Sequence, residues 1–253
     1  MIKTEQQPYQ SAEEMGEGLQ TAVLRWILSV ADTKHRIGMQ NSHWVTGTPA
    51  LEAAVGSAAI TQDELGHARS LYGLLRTYPG APEGVGAEND LEARDVYYAP
   101  ADLMPRWESW LKVVAINVVL DAALQVAIAQ TKGSTFSPLA GRTAKILQEE
   151  RFHRIFGQSW LERLAGHGEA TKAQLQQQID WAWRITDAWL GPDDDAVTGE
   201  LVVAGVLREG TAVMRQQWLA EVEPLLAANG LTRPEPLTDW SSWDAQFRQN
   251  NDA

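Results

Sequence analysis

The chain has 253 residues, a formal net charge of −12 and no cysteine. Disulfides, thiolate zinc sites, iron–sulfur clusters and cysteine nucleophiles are therefore excluded, and so acidic a chain lacks the basic footprint that nucleic-acid binding needs. Hydrophobic residues make up 44% of it, enough for a substantial core in one large domain.

The opening MIKTEQQPYQSAEEMGEG has no apolar signal core. Ser11 and Glu14 offer a capping box, so the spacing predicts a helix from about Ser11 to about Asn41, with Leu24, Ile27, Leu28, Ala31 and Gly38 on one face. TGTP (46–49) breaks it. A second helix is expected from about Ala50 to Thr77, where YPGAP follows. The stretch 80–105 is rich in Gly, Pro and acid and long enough to host a crossover or lid. A third helix covers about Pro105 to Gln130. Its apolar run, Val113 to Ala129, is interrupted by Asn117, Asp121 and Gln125, which a membrane span tolerates poorly. A soluble chain with no membrane partner is expected, and the missing cysteines fit a reducing cytoplasm.

Further helices are predicted over about Leu139–Ala165, Ala170–Leu190 and Val197–Ala228, before a tail carrying Trp240, Trp243 and Phe247. Strand alternation and low-complexity linkers are lacking. The reading is a single all-α domain over 1–253: a ferritin-like four-helix bundle at about 11–165, with additional C-terminal helices and a tail over 168–253. Eleven tryptophans imply large buried surfaces, an interface between subunits among them.

The chemistry starts at QDELGHARSLY, residues 62–72. Ala53, Ser57, Ile60, Glu64, His67, Leu71 and Leu74 share one helical stripe, so a carboxylate and an imidazole sit mid-face where a core should be. A lone E-x-x-H is common and by itself fits a helix end or a surface pair. The fourth helix repeats it: Leu147, Glu150, His153, Gly157, Trp160 and Leu164 form another stripe. Two Glu-x-x-His pairs on two buried helices are the pattern of di-iron or di-manganese carboxylate bundles, in which the i, i+3 spacing lets each pair grip one ion. Oxygen donors with imidazole suit iron, with manganese possible.

Such a site wants a further carboxylate from each remaining helix. Asp121 is the only acid in the apolar run of the third helix; Asn117 and Gln125, one turn either side, read as packing or supporting groups. The first helix has no glutamate between Gly18 and Gly38, and its stripe passes through His35, with Asp32 one turn earlier. His35 is either a ligand or a packed core histidine; His43 is read as peripheral. The expected metal set is His35, Glu64, His67, Asp121, Glu150 and His153, holding two Fe ions.

HRIGMQNSHW, QDELGHA, LDAAL, KGSTFSP and EERFH, in this order, resemble the PaaA/PaaC family, which forms ring-1,2-phenylacetyl-CoA epoxidase, a multicomponent di-iron monooxygenase. The resemblance implies O2 activation, an aromatic acyl-CoA substrate, electrons from a partner reductase, and assembly with other subunits into a homo- or hetero-oligomer. It assigns Glu64, His67, Asp121, Glu150 and His153 to the catalytic subunit's ligand positions and puts His35 where that subunit has a glutamate. GPDDD (191–195) fits the family as well. WLAEVEPLLAANGLTRP (218–234) is more similar to the noncatalytic PaaC-type subunit, which leaves a scaffold role as the alternative to an oxygenase. A storage or peroxide-detoxifying bundle is a third reading.

Overall fold

A computed structural model describes residues 8–85 and 94–251. Seven α-helices of four residues or more occur among them: α1 Glu17–Trp44, α2 Leu51–Tyr72, α3 Trp110–Ala129, α4 Ser137–Ala165, α5 Glu169–Leu190, α6 Ala196–Val203 and α7 Thr211–Ala228. The only paired strands in the described residues are two-residue pieces, β1 Trp243–Asp244 and β2 Gln249–Asn250. The protein is an all-α bundle of the ferritin-like kind expected.

Helix α3 organises the rest. It is apolar all round, and a helix of that kind belongs inside a protein. It packs on α4, α5 and α7, while α1 lies mainly along α2. By length and composition α3 would suit a membrane, yet Val113 to Ala123 are all buried within the bundle. Ser109 caps it, accepting from the Leu111 N–H at 3.1 Å. Trp218 of α7 is fully buried and donates its indole N–H to Val119 O at 2.9 Å, pinning α7 to α3.

Three boundaries differ from expectation. The first helix starts at Glu17 rather than near Ser11: residues 12–14 form a separate 3₁₀ turn, and Glu14 accepts from the Gln10 N–H at 2.8 Å instead of completing a capping box on Ser11. The predicted helix over 197–228 is two helices. Gly205 takes φ = 70°, which glycine adopts without strain, and the N–H groups of Val206 and Leu207 fold back onto Leu201 O. The second helix ends at Tyr72 and runs on as turns. Residues 86–93, part of the expected crossover or lid, lie outside the described residues.

The tail closes the far end. Arg248 is buried and donates to Trp189 O, Leu190 O and Asp195 Oδ2, so it satisfies the last carbonyls of α5 and the N-cap acid of α6 together.

Candidate metal centre

Helices α1 to α4 bring Lys34, Glu64, His67, Asp121, Glu150 and His153 to one buried centre. One oxygen or nitrogen each from Glu64, Asp121, Glu150 and His153 lies within 4.8 Å of the others, a spacing that can hold a metal ion. Repeated i, i+3 placement on α2 and α4 causes this, because both side chains of each pair leave one face of their helix.

The two imidazoles share one orientation. His67 Nδ1 points inward, 3.2 Å from Glu150 Oε1, and its Nε2 meets Glu149 Oε2 at 2.8 Å. His153 Nδ1 lies 3.4 Å from Glu64 Oε1, Asp121 Oδ2 and Glu150 Oε2, while its Nε2 faces Asp63 Oδ2, also at 3.4 Å. Each ring is thus suspended between an inner carboxylate set and one outer, half-buried carboxylate. An imidazole that ligates a metal commonly donates its other N–H to a carboxylate in this way, which fixes the tautomer. Sequence reading missed Asp63 and Glu149. Their signal was the doubled acid in DELGH and EERFH.

A cleft of about 320 Å³, lined in part by Asp63, Ser70, Gly141 and Glu149, reaches the outer side of His67. Gln125 supports Asp121, its Nε2 lying 3.4 Å from Oδ2. The Asn117 amide is buried with no partner among the described residues.

The first helix supplies something unexpected. Lys34 is fully buried, and its Nζ lies 3.0 Å from Glu64 Oε1, 2.7 Å from Asp121 Oδ1 and 2.6 Å from Glu150 Oε1. A buried ammonium without partners would be driven to lose its proton. Here burial pushes Lys34 down, but Asp121, Glu150 and Glu64 outweigh it and hold its pKa well above the usual value.

The other groups respond as a set. Burial and the neighbouring acids raise Glu64 against the pull of Lys34. Burial opposes ionisation of Glu150 too, yet Lys34, His153 and His67 hold it well below the usual carboxylate range. Both histidines are raised in spite of burial, His67 by Glu150 and Glu64 against the push of Lys34, and His153 by Asp121, Asp63, Glu150 and Glu64.

His35, expected as a ligand, lies elsewhere. One residue along a helix turns the side chain by roughly 100°, so Lys34 enters the centre while His35 stacks flat on Tyr97, ring centroids 5.4 Å apart. Both its ring nitrogens are buried without a partner among the described residues. Burial, then Arg36 and Arg94, lowers its pKa to about 4, so the ring is neutral. Asp32 belongs to the same outer layer: it accepts from Tyr72 OH at 2.5 Å and from the Tyr98 N–H at 2.6 Å, and pairs with the Arg94 guanidinium. His43 is exposed, as its peripheral reading expected.

Glu64 Oε2, Glu150 Oε2, His67 Nδ1 and His153 Nδ1 have no well-formed hydrogen bond among the described residues. Buried orphans of this kind fit a metal ion, which would satisfy several at once. A single ion fits the donor set. A pair of ions does not fit beside Lys34, whose ammonium already stands among the three carboxylates.

Two E-x-x-H helices, an apolar third helix that contributes Asp121, and outer acids behind the histidines define a carboxylate–histidine helical bundle. Residues 4–251 match the model of the phenylacetic acid catabolic protein family, and the chain belongs to that family. It is similar to two different subunits of 1,2-phenylacetyl-CoA epoxidase from Escherichia coli (strain K12). To the A-type subunit it is 28% identical over 218 residues, covering 84% of this chain and 69% of the relative. To the C-type subunit it is 26% identical over 204 residues, covering 78% of each.

Proposed function

We propose that the chain is the metal-bearing subunit of a multicomponent oxygenase acting on an aromatic acyl-CoA thioester. The observation that carries this reading is the orientation of His67 and His153, each with Nδ1 turned onto buried carboxylates and Nε2 backed by an outer acid. In the overall reaction one atom of O2 enters the substrate. The other leaves as water, with two electrons from a partner reductase and two protons from solvent. A reductase is needed because the sequence carries no nucleotide- or flavin-binding fingerprint.

Glu64, Asp121, Glu150 and His153 would hold the metal, with His67 at its flank. Iron is the preferred ion for this donor set, manganese the second. When bound, the metal supplies the binding and reduction of O2. Asp63 and Glu149 stand where they would accept from each Nε2 and so hold the tautomer that turns its Nδ1 lone pair inward when the metal is bound. Ile60, buried one turn before Glu64 on α2, helps wall the centre from water. Assembly with other subunits in the cytoplasm is part of the proposal, supported by relatives that are themselves epoxidase subunits.

Iron analysis of the purified chain, with oxygen uptake on phenylacetyl-CoA in the presence of a reductase, tests the reading. Iron in the protein and substrate-dependent uptake support it; iron-free protein that cannot be loaded overturns it. A second reading, a noncatalytic supporting role, is favoured by Lys34 and by the similarity to the C-type relative. It expects no metal and an activity that resides wholly in a partner chain.

A further inference from the structure

Lys34 takes one oxygen from each buried acid: Glu64 Oε1, Asp121 Oδ1 and Glu150 Oε1. Glu64 Oε2 and both oxygens of Glu150 are without a well-formed hydrogen bond, Glu150 Oε1 meeting Lys34 as a close ion pair, and Asp121 Oδ2 has only long contacts, with Gln125 and His153. Three carboxylates therefore each present one oxygen to an existing cation and one to a second position. That is how carboxylates bridge two cations, with an ammonium standing for one.

The histidines lean to different sides, His67 to the Lys34 side and His153 mainly to the other. Glu150 Oε1, held by Lys34 at 2.6 Å, is also the oxygen 3.2 Å from His67 Nδ1. His153 Nδ1 lies 3.4 Å from two opposite oxygens, Asp121 Oδ2 and Glu150 Oε2, and 3.4 Å from one oxygen that Lys34 holds, Glu64 Oε1. The four groups close enough to share one ion include His153 and not His67.

We infer that Lys34 is a built-in cation filling the His67-side position of a two-cation centre, so that this chain takes one divalent transition-metal ion, on the His153 side. This deepens, and rests on, the metal-bearing reading above. It differs from the paired-iron expectation by a single residue of α1: a lysine supplies positive charge where a ligand was expected to supply negative charge or a lone pair. The lysine also explains why the first helix can do without a carboxylate. With an ammonium in place of a dication, the centre needs less negative charge to balance it.

The test uses the full-length chain loaded anaerobically with Mn(II), desalted, and measured by elemental analysis and electron paramagnetic resonance. Native protein should hold about one ion per chain with the six-line signal of an isolated Mn(II). Lys34→Met, which keeps the length and apolar stem of the side chain, should rise to about two ions, the isolated signal giving way to that of a coupled pair. In the native background His153→Ala should lose the ion and His67→Ala should retain it. These two variants keep the inference testable if Lys34→Met does not fold. Two ions in native protein, one ion in folded Lys34→Met, or equal loss in the two histidine variants would overturn the assignment of Lys34 while leaving the metal-bearing reading in place. Absence of metal from both native protein and Lys34→Met would overturn that reading itself.

Discussion

A methyl group at position 56 would lie 2.2 Å from Cε2 of Phe156: the ring occupies the space that any side chain on Gly56 needs. This contact sets how closely α2 and α4 approach, and with it the spacing between their E-x-x-H pairs. The ring has little room to move, since Trp110 and Trp160 crowd it.

Gly56→Ala should therefore destabilise by about 1–3 kcal/mol through overpacking, although alanine is the better helix former. Denaturant melts of Gly56→Ala, Phe156→Leu and the double variant form a cycle. The double variant should recover part of the loss; strict additivity would show that the contact is not the cause.

Asp32 joins α1 to the segment after residue 93 by accepting from Tyr72 OH, the Tyr98 N–H and the Arg94 guanidinium at once. Asp32→Ala leaves Arg94 buried without its counter-charge and should destabilise by roughly 3–5 kcal/mol. Removing both charges, as Asp32→Ala with Arg94→Met, should destabilise less than Asp32→Ala alone. A larger loss in the double variant would contradict this account.

Acid should act on the protein through His35. Its folded-state pKa is about 4 against an ordinary 6.5, so protonation favours the unfolded chain. Its contribution is fully present above about pH 6.5 and is lost as the pH falls towards about 4, amounting to about 3 kcal/mol. Native protein should lose that much more stability between pH 7 and pH 4 than His35→Gln does. Equal losses would place the imidazole in contact with solvent.

The helices were legible because their apolar positions recur at helical spacing, and the centre because E-x-x-H occurs twice on such stripes. Asp121 stood out as a lone acid in the apolar run of α3. Lys34 did not stand out. In ADTKHRIG a lysine reads as a solvated charge, and only the rotation of α1, set by packing along its whole length against α2, decides whether position 34 or 35 turns inward. His35 drew attention because imidazole is a metal ligand by chemistry, whereas a lysine becomes a site residue only through its neighbours. The split between α6 and α7 was hidden for a similar reason, since Gly199, Gly205 and Gly210 each offered a break and one of them, Gly205, adopts the left-handed backbone.

Arg248 gives the fold a clock. The carbonyl of Leu190 waits for a donor 58 residues further along the chain. At synthesis rates of roughly 5–20 residues per second that is about 3–12 s during which the end of α5 is made but not closed. Through that interval the four-helix centre can assemble on its own schedule, because Lys34, Glu64, Asp121 and Glu150 have all been translated before α5 is complete. The order of translation thus separates the forming of the charged interior from the sealing of the outer helices, and a ribosome stalled before position 248 would present a chain with its charged interior built and its flank still open.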